Sequence, residues 1–259
     1  MTKRKILLVN DSYFAYQSSK ELIAKFSNEI EFVVFSNSKS SVKGMSKILK
    51  KVSIKYFVYR VFIHFLSIFF LKKKSVKYLT KKHNIKSFVV SSRKELMNLI
   101  SEKSNSDIAF AFNFDIIINR FILDEFKKGI YNIHASKLPK DRGVSPVLWA
   151  FARGDKTIWS TIYKMNEGID TGDICKQIDI DVYEFDTVFS IYKRVSHISG
   201  KLLCSIVEDL TLGKILLKQQ PTCEKPNYCT WPNKEFDYLM KSSERKMIKL
   251  NDLTNSFKD

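Results

Sequence analysis

Short, largely apolar runs separated by amphipathic stretches leave the first half of this chain few ways to fold. Residues 6–9 (Ile-Leu-Leu-Val) read as a strand, 31–35 as a second, 87–90 as a third, 108–112 as a fourth and 130–134 as a fifth. Helical spacing separates them over 19–26, 93–102 and 121–128. Strands that are apolar on both faces must be covered on both faces. Their alternation with helices therefore predicts an α/β fold, an open, mostly parallel sheet with helices on both sides.

A dinucleotide or P-loop site is the usual companion of such a half, and the first turn argues against it. Asn10-Asp11-Ser12-Tyr13 follows the first strand, and the first glycine of the chain is Gly44. Without glycine the backbone cannot approach a pyrophosphate closely, so G-x-G-x-x-G and P-loop chemistry are both absent.

Past His134 the chain is punctuated by a Pro/Gly loop over 138–146, a short helix over 147–152 and strands over 157–165 and 174–182. A long helix over 187–212, capped by Asp186, carries Val188, Ile191, Val195, Ile198, Leu202, Ile206 and Leu210 on one stripe. This organisation assigns 1–212 to one catalytic domain with a helical insertion at about 45–75. Residues 213–259 then form a short C-terminal tail, in which 237–250 is helical.

Charge bears on partners. Lys+Arg number 44 against 27 Asp+Glu, a net charge of +17. Only 8 of the bases are Arg, the residue that makes bidentate phosphate and base contacts, so nucleic acid is a weak inference from charge alone. The four cysteines (Cys175, Cys204, Cys223, Cys229) show no C-x-x-C or His spacing, which argues against a metal. The basic start MTKRKILLVNDS has too short an apolar run for a secretory signal. Reduced thiols in a cytoplasmic protein are expected.

Residues 57–71 are nearly all apolar between lysine clusters. Fifteen residues span about 22 Å as a helix, short of the ~30 Å bilayer core. Arg60, His64 and Ser67 make one narrow polar stripe along it. Two readings of the 54–71 helix stand side by side. One is peripheral contact with an anionic membrane at the inner face; the other is a helix packed on the sheet or in a homodimer interface.

The densest chemical signal is Asn132-Ile133-His134-Ala135-Ser136-Lys137-Leu138-Pro139-Lys140-Asp141-Arg142-Gly143-Val144-Ser145-Pro146, followed by Gly168-Ile169-Asp170-Thr171-Gly172-Asp173-Ile174. Asn132 and His134 are two apart on a strand and share a face where the strand runs into a loop. Asp170 sits in a glycine-flanked turn able to bring its carboxylate back to them. An amide donor, an imidazole and a carboxylate suit acyl transfer to an amine. The amide stabilises an oxyanion, and the imidazole takes the amine's proton beside the carboxylate. No serine or cysteine nucleophile stands in a recognisable setting, so direct amine attack is the simplest scheme.

The full string resembles the 10-formyltetrahydrofolate-dependent formyltransferases, whose motif N-x-H-x-S-x-L-P-x-x-R-G-x-x-P is matched at Asn132, His134, Ser136, Leu138, Pro139, Arg142, Gly143 and Pro146. Met165, Asp170, Gly172 and Ile174 continue the match. The resemblance implies a Rossmann-like fold, Asn132, His134 and Asp170 as the catalytic triad, and 10-formyltetrahydrofolate as formyl donor. It places the folate against Asn113, Phe114, Ile116, Ile117, Gly168 and Ile169, and a substrate loop at Ser136, Arg142 and Gly143. Trp159-Ser160-Thr161 departs from the Gly-Val-Thr of many members, as does Asn10 from their glycine.

The resemblance brings three acceptor classes. Glycinamide ribonucleotide ranks last for want of a Gly-rich first turn. Methionyl-tRNA is favoured by the R-G-x-x-P loop and by Phe14-Ala15, yet the 47 residues after Leu212 fall short of a tRNA-holding barrel. A nucleotide-linked amino sugar of surface polysaccharide synthesis suits the aromatic tail Tyr228-Cys229-Thr230-Trp231-Pro232 and is the expected acceptor. Outside these stand hydrolysis of the donor and a non-catalytic, membrane-associated partner.

Overall fold

The computed structural model of the protein describes residues 4–37, 52–69, 71–222 and 227–258. Nine helices of the described residues run, in chain order, α1 Tyr13–Phe26, α2 Ile54–Phe69, α3 Val76–Lys82, α4 Arg93–Lys103, α5 Arg120–Asp124, α6 Pro146–Ala152, α7 Val188–Thr211, α8 Lys234–Ser242 and α9 Leu250–Lys258. The strands are β1 Lys5–Val9, β2 Ile30–Ser36, β3 Lys86–Val90, β4 Ile108–Phe112, β5 Gly129–His134, β6 Arg142–Gly143, β7 Thr157–Lys164, β8 Ile174–Asp181 and β9 Tyr228–Cys229. The seven longer strands form one sheet in the order β3-β2-β1-β4-β5-β7-β8. The first five are parallel, and β7 and β8 close the edge antiparallel.

Alternation along the apolar strands divides the core between the two faces. Leu7, Val9, Phe110 and Phe112 pack against Leu22 and Ile23 of α1 and Leu203, Ile206 and Val207 of α7. Ile6, Leu8, Ala109 and Ala111 face Leu96, Leu99 and Ile100 of α4 and Ile122 of α5. Helices α1 and α7 approach so closely that a Cβ at Gly200 would lie 2.4 Å from the Ser18 carbonyl oxygen.

The sheet order reverses direction at β1, whose neighbours β2 and β4 are reached by crossovers on opposite sides. The loops leaving β1 and β4 therefore part at their carboxyl ends, which is where open α/β sheets form a ligand crevice. The Asn10 N–H donates to the Asn113 carbonyl at 3.1 Å across that gap.

Several boundaries differ from the sequence reading. α1 starts at Tyr13, not 19, because Ser12 caps it by accepting from the Ala15 N–H. Thr187, not Asp186, caps α7, in a reciprocal capping box with Ser190. Asp186 instead accepts from Ser190 Oγ, the Tyr183 N–H and Arg194. The expected helix over 237–250 is two helices, α8 and α9, broken near Glu244 at φ +54°.

Part of the insertion expected at 45–75 lies outside the described residues; the rest holds α2 and the turn that leads into α3. Tyr56, Tyr59, Ile63 and Leu66 of α2 pack with α6, α7 and α8. No helix of the described residues is long and apolar enough to cross a membrane. The tail after 212 is not peripheral to the core: Cys229, Phe236 and Met240 join Trp149, Phe151 and Phe189 in the same cluster.

Candidate active site

Asn132 and His134 project from the end of β5, and Asp170 returns to them from the loop between β7 and β8. All three line one open cavity of about 730 Å³ at the sheet's switch point. Tyr163 links them. It lies directly opposite Asn132 in the antiparallel β5–β7 pairing, and its hydroxyl accepts from Asn132 Nδ2 at 2.9 Å and donates to Asp170 Oδ1 at 2.8 Å. Burial, followed by the Asp170 charge, holds the Tyr163 phenol well above its ordinary range, so it keeps its proton and stays a donor. The other carboxylate oxygen, Asp170 Oδ2, accepts from the Gly143 N–H at 2.7 Å.

His134 is 6% exposed, and its Nε2 lies 2.8 Å from the Asp141 carbonyl oxygen. A carbonyl only accepts, so this contact assigns the hydrogen to Nε2. Nδ1 then carries the lone pair in the neutral ring and lies 3.5 Å from Asp170 Oδ2. The arrangement suits a base that takes a proton on Nδ1 and becomes an imidazolium beside a carboxylate.

Asp141 is itself held from three directions. Arg153 donates to both its carboxylate oxygens at 3.1 and 2.7 Å. The Asn227 Oδ1 accepts from its N–H at 2.8 Å, and Asn227 Nδ2 donates back to its carboxylate. The short strands β6 and β9 pair in parallel just beside it. Gly143 meets β9 so closely that a Cβ would sit 2.6 Å from the Cys229 carbonyl oxygen, at a φ of +89°. Asn113, Asp141, Ser145 and Asp170 all adopt positive φ around this site, concentrating backbone strain where geometry matters to chemistry.

The folate residues expected from sequence fall in two adjoining cavities. Asn113, Phe114, Ile117 and Ile169 line the main cleft. Phe114, Ile116, Ile117, Gly168 and Ile169 line a neighbouring cavity of about 410 Å³ that also reaches Asn132 and Asp170. Of the loop residues, Gly143 is on the cleft wall, whereas Ser136 and Arg142 are not among its lining residues. Ser136 is buried, and its Oγ donates to the Lys140 carbonyl at 2.7 Å while its own carbonyl accepts from Thr161 Oγ1 at 2.6 Å. Arg142 Nη2 donates to Gln220 Oε1 at 2.8 Å. Gln220 Nε2 in turn donates to the Asp170 and Gly172 carbonyls at 2.9 and 2.8 Å.

Sequence reasoning missed Tyr163, Asp141, Arg153, Gln220 and Asn227. For Tyr163 the signal was strand alternation, which sets it on the same face as Thr161 and becomes informative only once β5 and β7 are known to pair. No local pattern points to Gln220 or Asn227.

Comparison with known proteins bears on the same stretch. A family model described as formyl transferase matches residues 70–207. Among curated proteins, the methionyl-tRNA formyltransferase of Wigglesworthia glossinidia brevipalpis is 34% identical over 152 residues, which are 58% of this chain and 48% of that protein. The bifunctional polymyxin resistance protein ArnA of the same organism is 36% identical over 143 residues, 54% of this chain and 22% of that one. The chain spans about half the length of the methionyl-tRNA formyltransferases it matches, from 41% to 52% for three of them. Among solved structures, the sugar 3N-formyl transferase WlaRD, crystallised with dTDP and 5-N-formyl-THF, superposes with a TM-score of 0.58. It is 18% identical, over 88% of this chain and 70% of that one, a likeness of fold.

Proposed function

The chain belongs to the formyl transferase family, and from that premise we propose that it moves the formyl group of 10-formyltetrahydrofolate to a primary amine by direct attack. The observation that carries this reading is the continuous chain Asn132–Tyr163–Asp170–Gly143 beside His134 on one cleft wall.

The residues divide the work as follows. The apolar side chains of Phe114, Ile116, Ile117 and Ile169 offer a wall for the pterin; Ile117 and Ile169 are large apolar groups exposed at 70% and 60%, available to a flat ring. Asn132 Nδ2, held by Tyr163, is the donor for the oxyanion that develops as the amine attacks the formyl carbon. His134 takes the amine proton on Nδ1 beside Asp170 Oδ2, and returns it to N10 of the donor as the tetrahedral intermediate breaks its C–N10 bond and releases tetrahydrofolate. With its Nε2–H fixed on the Asp141 carbonyl, the ring presents Nδ1 without needing to turn.

We take the acceptor to be the amino group of a nucleotide-linked sugar. Tyr228 and Trp231, 50% and 45% exposed, line the same cleft as His134 and offer rings on which a base can stack. The fold is that of WlaRD, which was crystallised with dTDP. The second reading is methionyl-tRNA, supported by the names of curated relatives at 31–34% identity.

The test is tetrahydrofolate release by the purified protein given 10-formyltetrahydrofolate and either a panel of amino-sugar nucleotides or charged initiator tRNA. Turnover that depends on one sugar nucleotide supports the first reading, and turnover with tRNA alone supports the second. Formate release at an equal rate without any acceptor would replace transfer with hydrolysis.

A further inference from the structure

Helix α2 has two opposed apolar faces, and the described residues pack against only one. Counting about 100° per residue from Ile54, the buried Tyr56, Tyr59, Ile63 and Leu66 fall at ~120–200°. On the other side, Ile54, Val58, Val61, Phe62, Phe65 and Phe69 fall within a strip ~100° wide. They are 76, 60, 38, 39, 55 and 63% exposed. Phe65 and Phe69 stack one turn apart, their ring centroids 5.9 Å from each other. Six large apolar side chains in one strip differ from scattered surface hydrophobics and mark a contact surface.

Charge identifies what that surface meets. From residue 32 to residue 94 the chain holds 16 Lys and Arg and no Asp or Glu. The remainder then carries 28 bases (44 less 16) against all 27 acids, so this one segment supplies 16 of the net +17. Lys55 is exposed at the start of α2, and Lys72 and Lys73 are exposed just beyond its end. An apolar ridge with basic ends, in a segment without acids, complements a surface that is apolar inside and anionic at its rim. A second copy of the chain fits poorly, because face-to-face pairing would bring two such basic segments together.

We propose that the outer face of α2 docks on an anionic lipid bilayer, the helix lying in the headgroup plane with Phe65 and Phe69 inserted. Arg60, on the same helix, lines the catalytic cleft. Docking therefore brings the cleft's rim within one helix diameter, ~10 Å, of the headgroups.

The test is co-sedimentation of the full chain with phosphatidylcholine vesicles, with and without phosphatidylglycerol, at low and high salt. Binding is expected only with phosphatidylglycerol and is expected to weaken as salt rises. The F65S/F69S variant, altered at exposed positions, should keep the wild-type melting temperature and lose about tenfold or more in vesicle affinity. K72S/K73S should lose about fivefold per lysine. Absence of binding to anionic vesicles, or binding that survives F65S/F69S, overturns the proposal. So does a dimer in sedimentation equilibrium that F65S/F69S splits, which would assign the ridge to a second copy. None of these readouts depends on formyl transfer, so the two readings fail separately.

Discussion

Replacing Tyr163 with phenylalanine removes one oxygen atom and disconnects Asn132 from Asp170. The side chain is 1% exposed, so the ring stays packed and little but the hydroxyl is lost. Two hydrogen bonds go with it, the 2.9 Å bond from Asn132 and the 2.8 Å bond to the Asp170 carboxylate. A neutral bond contributes about 0.5–1.5 kcal/mol and one to a charged group about 1.5–3 kcal/mol. If both act mainly by holding Asn132 and Asp170 in place for the transition state, the barrier rises by about 2–4.5 kcal/mol. That corresponds to a fall in kcat of roughly 30- to 2,000-fold. KM for the folate donor should change little, because phenylalanine keeps the ring that lines the smaller cavity and only the hydroxyl, which points to Asn132 and Asp170, is lost. Single-turnover formyl transfer, with folate affinity measured separately by fluorescence, tests both statements. A kcat within threefold of wild type would show that Asn132 and Asp170 are positioned without the phenol. A loss confined to KM would show that Tyr163 meets substrate directly.

Two further predictions concern the support of the site and the response of the fold to pH. Asn227→Ala removes both contacts of that side chain to Asp141, so the carbonyl that fixes His134 Nε2 loosens; kcat should fall about tenfold with donor affinity retained, and a change in donor affinity alone would place Asn227 in the binding wall. Burial pushes the Cys175 and Cys229 thiols and the Tyr131 and Tyr192 phenols up to about 12. Above the unfolded thiol value near 8.5 the unfolded chain loses protons that the folded chain keeps, so stability falls as pH rises, on the order of 2 kcal/mol for each thiol between pH 8 and pH 10. Urea unfolding at the two values measures this, and an equal or higher midpoint at pH 10 contradicts it.

The parallel half of the sheet was legible because its strands β1, β2 and β4 are almost wholly apolar and buried, a pattern with few other uses. The candidate triad was legible through its spacing: Asn132 and His134 are on one strand, and the turn around Asp170 repeats a known string. What stayed hidden depends on pairing across long stretches of chain. Tyr163 matters because β7 runs antiparallel to β5, which no local periodicity reveals. Asn227 and Gln220 are polar residues in an irregular segment, and only its return to the Asp141 and Asp170 loops gives them work. The basic character of residues 32–94 was overlooked for another reason: lysines are spread over the whole chain, and it is the acids that are missing from one part of it.

The pairing of Arg142–Gly143 with Tyr228–Cys229 sets an order of events during synthesis. His134 leaves the ribosome 95 residues before Cys229, an interval of roughly 5–20 s at ordinary elongation rates. The five parallel strands can assemble in that time with their hydrophobic faces covered. Asp141, however, has neither Asn227 nor β9 to hold it, and the Asp170 loop lacks Gln220. The nascent protein is thus expected to be a folded sheet with an unset histidine, and the proposed chemistry to begin only when this segment of the cleft wall arrives.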